Sequence, residues 1–320
     1  MGRRFARPGV ALAGGAAKGL AHIGVLKALE EVGIRPACIV GTSAGALVGG
    51  LYAAGLSVAD MERVVSELDG WEFSKLLDLT WAKGSLVAGK AVSRFLRDLV
   101  GDVRIEDLRI PFIAVAVDIN SGRGHLFDRG PLVDAIRASI SIPGIFEPFA
   151  ANGSYLVDGG VRLNLPLRAL DQFRPTIRIG VGLTGSQWFN AEWTQGEIER
   201  DHGPDKDPDR NLWQRVKDRF SGDHDSAGEE EDEDEDDEPP GLPFLLARTF
   251  NTFTAEAERL EVARTRPHLF INLDVNEIEL WEFWRGVEAV ELGYSQSQPL
   301  IAQFLRDRTI AGRIRKWFAS

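Results

Sequence analysis

The chain has 320 residues, and the 44% that are hydrophobic are enough for a sizeable buried core. Its one cysteine, Cys38, excludes an internal disulfide and gives no sign of an oxidising compartment. The net charge of −11 comes almost entirely from an acidic run at 229–238, so the rest of the chain is close to neutral. This distribution argues against nucleic-acid binding.

A glycine-rich loop separates a strand from a helix near the start of the chain. Residues 8–13 form an apolar strand candidate, and 14–19 read Gly-Gly-Ala-Ala-Lys-Gly. Apolar residues then recur at helical spacing from Leu20 until Gly33, a helix stop. Residues 37–41 predict a second strand, parallel to the first. The unit is α/β, and sites in such sheets gather at the carboxyl ends of the strands.

The second strand runs into Gly41-Thr42-Ser43-Ala44-Gly45, a Gly-x-Ser-x-Gly pattern followed by an apolar helix at 44–54. This is the pattern of a nucleophile elbow, in which a sharp strand-to-helix turn exposes the serine hydroxyl. Ser43 is therefore the candidate nucleophile. Taken alone, Gly41 and Gly45 are also compatible with an ordinary tight turn.

The remaining segments extend the α/β pattern and are interrupted by one polar, acidic stretch. We predict a helix from 57 to 68, mainly core at 71–99, a strand at 112–119 returning at 125–127, a short helix from 131, a hairpin of 146–150 and 154–157, a strand at 177–183, a helix at 244–263, a strand at 268–275, a helix at 281–292 and a docked helix at 301–318.

These segments predict a three-layer α/β/α domain with a mostly parallel central sheet. Its catalytic core spans 8–184, and residues 244–320 complete it with helices and a strand. Residues 185–243 are polar and acidic, so we expect a largely disordered insertion there.

The glycine loop fits backbone chemistry better than nucleotide binding. It lacks the Lys-Ser/Thr that ends a P-loop, and it also fails Gly-x-Gly-x-x-Gly. Bare N–H groups at the start of a helix can instead stabilise a developing oxyanion. The expected donors are Gly14, Gly15 and Ala16. Lys18 either adds positive charge or fixes the loop.

A serine nucleophile needs a base, and the sequence leaves two choices open. The order Ser43, Asp158, His268 matches a Ser-Asp-His triad, although His268 stands where a strand begins. Direct proton abstraction by Asp158 is the other choice. Asp158 ends a strand and precedes Gly159 and Gly160, which allow close backbone approach; an Asp-Gly-Gly is also a common plain turn.

Three motifs together resemble those of the patatin-like phospholipases, in order and spacing. They are Gly14 to Gly24 with its glycine loop, Gly41 to Gly45 and Asp158 to Gly160, and the segment 136–144, Ile-Arg-Ala-Ser-x-Ser-Ile-Pro-Gly, is also similar. The resemblance covers about 8–183 and departs at Ala16, usually glycine, and at Lys18, often arginine.

The resemblance implies a lipid acyl hydrolase of the phospholipase A or carboxylesterase type, with no metal and no other cofactor. Its site would be a Ser43–Asp158 dyad with an oxyanion hole at Gly14, Gly15 and Ala16. The motif residues that support it are Lys18, Gly19, Gly41, Gly45, Gly159 and Gly160. Two alternatives remain: a triad esterase that uses His268, and a non-catalytic lipid-binding or regulatory protein on the same fold.

The expected partner is a lipid or fatty acyl ester. The start of the chain has no apolar stretch typical of a signal peptide, so we expect a cytoplasmic protein whose contact with the inner membrane is peripheral and reversible. Candidate contacts are the aromatic residues of Trp71–Trp81 and Trp188–Trp193 and, in the basic C-terminal stretch, Trp317 and Phe318.

Overall fold

The structure is a computed structural model that describes residues 7–67, 89–151, 153–185 and 242–308. The described strands are β1 (Pro8–Leu12), β2 (Cys38–Thr42), β3 (Phe112–Asp118), β4 (Gly124–Phe127), β5 (Phe149–Ala151), β6 (Ser154–Asp158), β7 (Ile177–Gly182) and β8 (Leu269–Asn272). The described helices are α1 (Ala21–Glu31), α2 (Ala44–Ala54), α3 (Val58–Glu67), α4 (Lys90–Val100), α5 (Leu132–Ser139), α6 (Gly160–Leu163), α7 (Leu242–Thr265) and α8 (Gly286–Arg308). A 3-10 helix, Ala16–Leu20, leads directly into α1.

The described strands form one sheet in the order β5-β6-β3-β2-β1-β7-β8, with β4 also paired to β3. Neighbours from β3 to β8 along this order run parallel, whereas β4, β5 and β6 add antiparallel pairs at one side. The parallel strands place the carboxyl ends of β1 and β2 at the same edge. The predicted mostly parallel sheet is confirmed.

Both faces of the sheet are covered, which makes three layers. In β1, Val10 and Leu12 face a core formed with α1, α2, α5 and α8, while Ala11, and Ala13 just after the strand, face a second core on the opposite side. This alternation is the period of two expected for a strand. The second core includes Leu167 and Leu170 of a 3-10 helix and is bordered by α7. The three-layer prediction is therefore confirmed.

Helices α1 and α8 pack with almost no space between their backbones. A side chain at Gly293 of α8 would overlap the Ala21 carbonyl of α1, and one at Gly24 would overlap the Val290 carbonyl. Helix α8 also continues through Pro299 to Arg308. The prediction of separate helices at 281–292 and 301–318 was wrong in this respect, because packing on α1 holds one long helix across the proline.

Helix α4 was not predicted as a helix within the stretch 71–99. It buries only Leu96 fully, and its other apolar residues are partly buried against the same core: Val92, Phe95, Leu99 and Val100. Most of the predicted core segment, the acidic insertion and the basic C-terminal end lie outside the described residues, at 68–88, 186–241 and 309–320.

The described stretches on both sides of the insertion belong to one compact unit. Of the helices that the structure describes, none is both long and apolar enough to cross a membrane.

Candidate active site

Ser43 lies on a strained turn between β2 and α2. Its backbone has φ 52° and ψ −122°, in the region that side chains other than glycine rarely adopt. A side chain at Gly41 would overlap the Gly45 carbonyl, and one at Gly45 would overlap the Leu12 carbonyl. The Gly-x-Ser-x-Gly spacing is therefore required by a sharp strand-to-helix turn of the nucleophile-elbow type.

Ser139 at the end of α5 holds the backbone of this turn. Its hydroxyl accepts the Ser43 N–H at 2.8 Å and donates to the Val115 carbonyl at 2.6 Å. Ser139 is fully buried, so both bonds are shielded from water. The sequence marked Ser139 only as part of the segment 136–144. Its role becomes visible once α5 and β3 are placed beside the turn.

Asp158 ends β6, and the register of β6 on β3 sets it opposite Ala116. Its N–H donates to the Ser141 carbonyl at 2.9 Å, and its Oδ1 accepts the Gly160 N–H at 2.7 Å. A side chain at Gly159 would overlap the Val115 carbonyl, so this turn needs glycine to lie against β3. These contacts fix the backbone of the turn, and the Gly160 N–H holds the carboxyl group itself.

Burial raises the pKa of Asp158 to about 7, and hydrogen bonding from the Ser43 side chain and from the Gly160 N–H opposes this increase. The Asp158 Oδ2 atom has no partner in good hydrogen-bond geometry among the described residues. The Ser43 hydroxyl is therefore a neighbour that acts on the Asp158 carboxyl without a closed hydrogen bond to Oδ2. The structure brings Ser43 and Asp158 together.

The glycine loop lies against the same turn. A side chain added at Gly14 would be 3.1 Å from Ser43 Cβ. The Gly14 N–H already donates to the Asn164 carbonyl at 3.2 Å, so the expectation that Gly14 is an oxyanion donor needs correction. The Gly15 and Ala16 N–H groups have no such partner elsewhere in the described part of the chain. Only these two expected donors are left to face a ligand.

Ala16 also has a left-handed backbone, with φ 48°. Glycine would adopt this conformation without steric strain. Ala16 therefore occupies this position at the cost of backbone strain.

Two histidines lie where they cannot act as the base. His22 is fully buried, its Nε2 donates to the Ala13 carbonyl at 2.8 Å, and burial lowers its pKa to about 4. His268 precedes β8, at the amino end of a strand that runs parallel to β2, whereas Ser43 follows the carboxyl end of β2. Its Nδ1 accepts the Arg178 N–H at 3.1 Å. Because His268 and Ser43 lie at opposite edges of the sheet, the triad alternative with His268 is wrong.

A cleft of about 540 Å³ opens between α4 and β5. Charged side chains provide much of its lining: Lys90, Arg94, Arg97, Asp98, Arg137 and Glu147. Such a lining suits a polar or anionic group better than a fatty acyl chain.

Among the described residues, no group of three or more His, Cys, Asp or Glu side chains is placed to hold a metal ion.

The three-layer fold, with a serine on a strained strand-to-helix turn and a buried carboxyl group beside it, defines a class of α/β proteins built for hydrolytic chemistry. A family model described as patatin-like phospholipase matches residues 10–171. The chain belongs to the patatin-like phospholipase family, and this membership supports lipid ester hydrolysis as its general activity.

Curated relatives agree with this assignment. An uncharacterized NTE family protein of Mycobacterium tuberculosis H37Rv is 32% identical over 332 residues, which cover 93% of this chain and 92% of that protein. The lysophospholipase nte1 of Emericella nidulans is 29% identical over 90% of this chain, but over 18% of its own length. The neuropathy target esterase sws of Drosophila melanogaster is 37% identical over 49% of this chain and 11% of its own.

Proposed function

We propose that the protein is a lipid acyl hydrolase of the phospholipase A or lysophospholipase type, acting through a dyad of Ser43 and Asp158. The observation that carries this proposal is the buried Asp158 carboxyl beside Ser43 on its strained turn. The name of one relative, a lysophospholipase, favours a lipid ester over a soluble one, and a second relative is named an esterase.

In the first half of the reaction, Asp158 takes the Ser43 proton while Oγ attacks the acyl carbonyl carbon. Negative charge develops on the carbonyl oxygen, where the Gly15 and Ala16 N–H groups stabilise it. The C–O bond to the leaving alcohol then breaks, and Asp158 returns its proton to that oxygen. The product bound to the protein is an ester of Ser43.

In the second half, Asp158 takes a proton from water, and the hydroxide oxygen attacks the same acyl carbon. The bond to Ser43 Oγ breaks, Oγ regains the proton from Asp158, and the fatty acid leaves. Asp158 suits both halves, because a pKa of about 7 lets it accept and return a proton near neutral pH.

The test is hydrolysis of a panel of p-nitrophenyl acyl esters, lysophosphatidylcholine and phosphatidylcholine. Ser43→Ala and Asp158→Asn should each reduce turnover by at least about 10³-fold, since each removes half of one unit. The matched controls are Ser154→Ala, at the start of β6, and Asp171→Asn, which pairs with Arg178 on the surface. Both controls should keep wild-type turnover.

Wild-type turnover in either dyad variant would contradict the mechanism. Binding of the wild-type protein to lipid vesicles without hydrolysis of any ester in the panel would favour the alternative of a non-catalytic lipid-binding protein.

A further inference from the structure

Glu258 of α7 is a fully buried carboxyl group whose polar neighbours are the Asn164 and Thr184 side chains and the Leu183 N–H. Asn164 Nδ2 donates to its Oε2 at 3.2 Å, and Thr184 Oγ1 donates to its Oε1 at 3.1 Å. A buried ionisable side chain is costly unless its partners justify it. The mechanism above gives Glu258 no step, so its role requires another explanation.

Asn164 connects Glu258 to the first residue of the glycine loop. Its backbone carbonyl accepts the Gly14 N–H at 3.2 Å, and its Oδ1 would be 2.7 Å from a side chain added at Gly14. Gly14 in turn lies against Ser43 Cβ. A shift of Asn164 would therefore move the loop relative to the nucleophile.

Thr184 connects Glu258 to the second residue of the loop. Leu183, the residue before Thr184, lies against Gly15: a side chain added at Gly15 would be 2.5 Å from Leu183 Cδ1. Thr184 is also held by Asn272, whose Oδ1 accepts its N–H at 3.3 Å. The two side-chain donors to Glu258 thus belong to the two segments that enclose the glycine loop.

From this arrangement we infer that Glu258 is a positioning residue for the oxyanion hole: by bonding Asn164 and Thr184 together, it fixes the Gly14–Ala16 backbone against Ser43. The inference rests on the proposed function. Helix α7 would then help to position the glycine loop, although it contributes no reacting atom.

Burial raises the pKa of Glu258 to about 7, so the acid form is well populated near neutral pH. In that form the carboxyl can donate a hydrogen bond as well as accept one. The Asn164 Oδ1 atom, which is buried and has no hydrogen-bond partner within the described part of the chain, can receive it if the amide turns over. Glutamine has the same shape and can also donate, and we therefore expect it to replace glutamate at this position.

The test compares Glu258→Leu with Glu258→Gln on the ester that the wild-type protein hydrolyses. Loss of a whole oxyanion donor costs about 10²–10³ in rate, so a loosened loop should cost less. Glu258→Leu should lower kcat by about 10–100-fold with KM within about threefold. Glu258→Gln should stay within about threefold of the wild type in both.

The matched control is Glu261→Leu, one turn further along α7. Glu261 is also nearly buried, but it pairs with Arg168 at 2.8 Å and not with the loop. It should keep wild-type kcat. If Glu258→Leu does not fold, Thr184→Val removes one bond of Glu258 with little change in volume, and it should lower kcat by about 3–10-fold.

Amide hydrogen exchange at Gly14, whose N–H donates to the Asn164 carbonyl, gives a readout that does not depend on activity. Exchange there should be faster in Glu258→Leu than in the wild type and Glu261→Leu. If the wild-type protein shows no Ser43-dependent hydrolysis, the proposed function fails while this readout still tests the positioning role. Unchanged exchange and kcat in Glu258→Leu, equal losses in Glu261→Leu, or no rescue by Gln would each overturn the inference.

Discussion

At the scale of single residues, the site concentrates backbone strain next to the reacting atom. Ser43 and Ala16 both have positive φ, and each conformation costs a side chain other than glycine about 1–2 kcal/mol. Hydrogen bonds from neighbouring residues offset this cost: the Ser139 hydroxyl accepts the Ser43 N–H, and the Asn164 carbonyl accepts the Gly14 N–H. Strained residues that surrounding bonds hold in place are typical of functional sites.

Activity should increase with pH through the pKa of Asp158, because only the carboxylate can accept the Ser43 proton. Since that pKa is about 7, kcat/KM at pH 5 should be about 100-fold below its plateau. A pH profile of kcat/KM on a neutral ester, between pH 5 and 9, measures the acid limb. A profile that is flat between pH 5 and 8 would contradict the role of Asp158 as a base.

Ala16→Gly should stabilise the protein by about 0.5–1 kcal/mol, because glycine adopts the positive φ of 48° without strain. Turnover should be unchanged, since the backbone N–H remains. The matched control is Ala17→Gly, a buried position whose φ is not positive, which should destabilise by about 1 kcal/mol. Urea unfolding of both variants decides the matter: equal destabilisation would mean that Ala16 is not strained.

At the scale of secondary-structure elements, the features that could be predicted from the sequence are those that a local sequence pattern determines. The apolar strands, the strand-to-helix turn at Ser43 and the Asp-Gly-Gly turn each have a short-range signature. Helix α4 and the full length of α8 were missed, because packing against other elements decides them. The link from Glu258 to the glycine loop has no local signature either, since its partners are 94 and 74 residues away.

Gly293→Ala should weaken the contact between α8 and α1. The added methyl group would overlap the Ala21 carbonyl. Because that carbonyl is a backbone group, space for the methyl group opens only if the two helices move apart. We expect a loss of about 2–3 kcal/mol in the free energy of unfolding, as for other overpacked positions. Ser295→Ala, exposed on the same helix, should change it by less than about 0.5 kcal/mol. Urea unfolding that gives equal values for both would contradict this close packing.

At the scale of the whole molecule, the segments after the insertion complete the fold around the site. Helix α7 brings Glu258 to the glycine loop, β8 extends the sheet beside β7, and α8 covers α1. Segments before and after the insertion thus enclose the candidate site, although the proposed reacting groups lie between 14 and 160. The acidic insertion remains a sequence-based prediction.

Buried titratable groups make the stability of the molecule depend on pH. The pKa of Asp158 is raised from 3.8 to about 7, so the folded state holds a proton that the unfolded state releases. This contribution is present below pH about 4 and is lost as the pH increases to about 7. Glu258 acts in the same direction, whereas His22, with its lowered pKa, acts in the opposite direction.

Comparing wild type with Asp158→Asn isolates one of these groups. The asparagine variant does not titrate, so its Tm relative to the wild type should be higher at pH 8 than at pH 5. Thermal unfolding at both pH values measures the difference. A Tm difference that is the same at pH 5 and pH 8 would mean that Asp158 keeps an ordinary pKa in the folded protein.

We propose that Asp158 activates Ser43. Treating the wild-type protein and Asp158→Asn with an alkyl fluorophosphonate, and mapping the adduct by mass spectrometry, tests this role. We expect a single adduct on Ser43 in the wild type and labelling at least about 100-fold slower in Asp158→Asn. An adduct on another residue, or equal labelling rates in the two proteins, would contradict it.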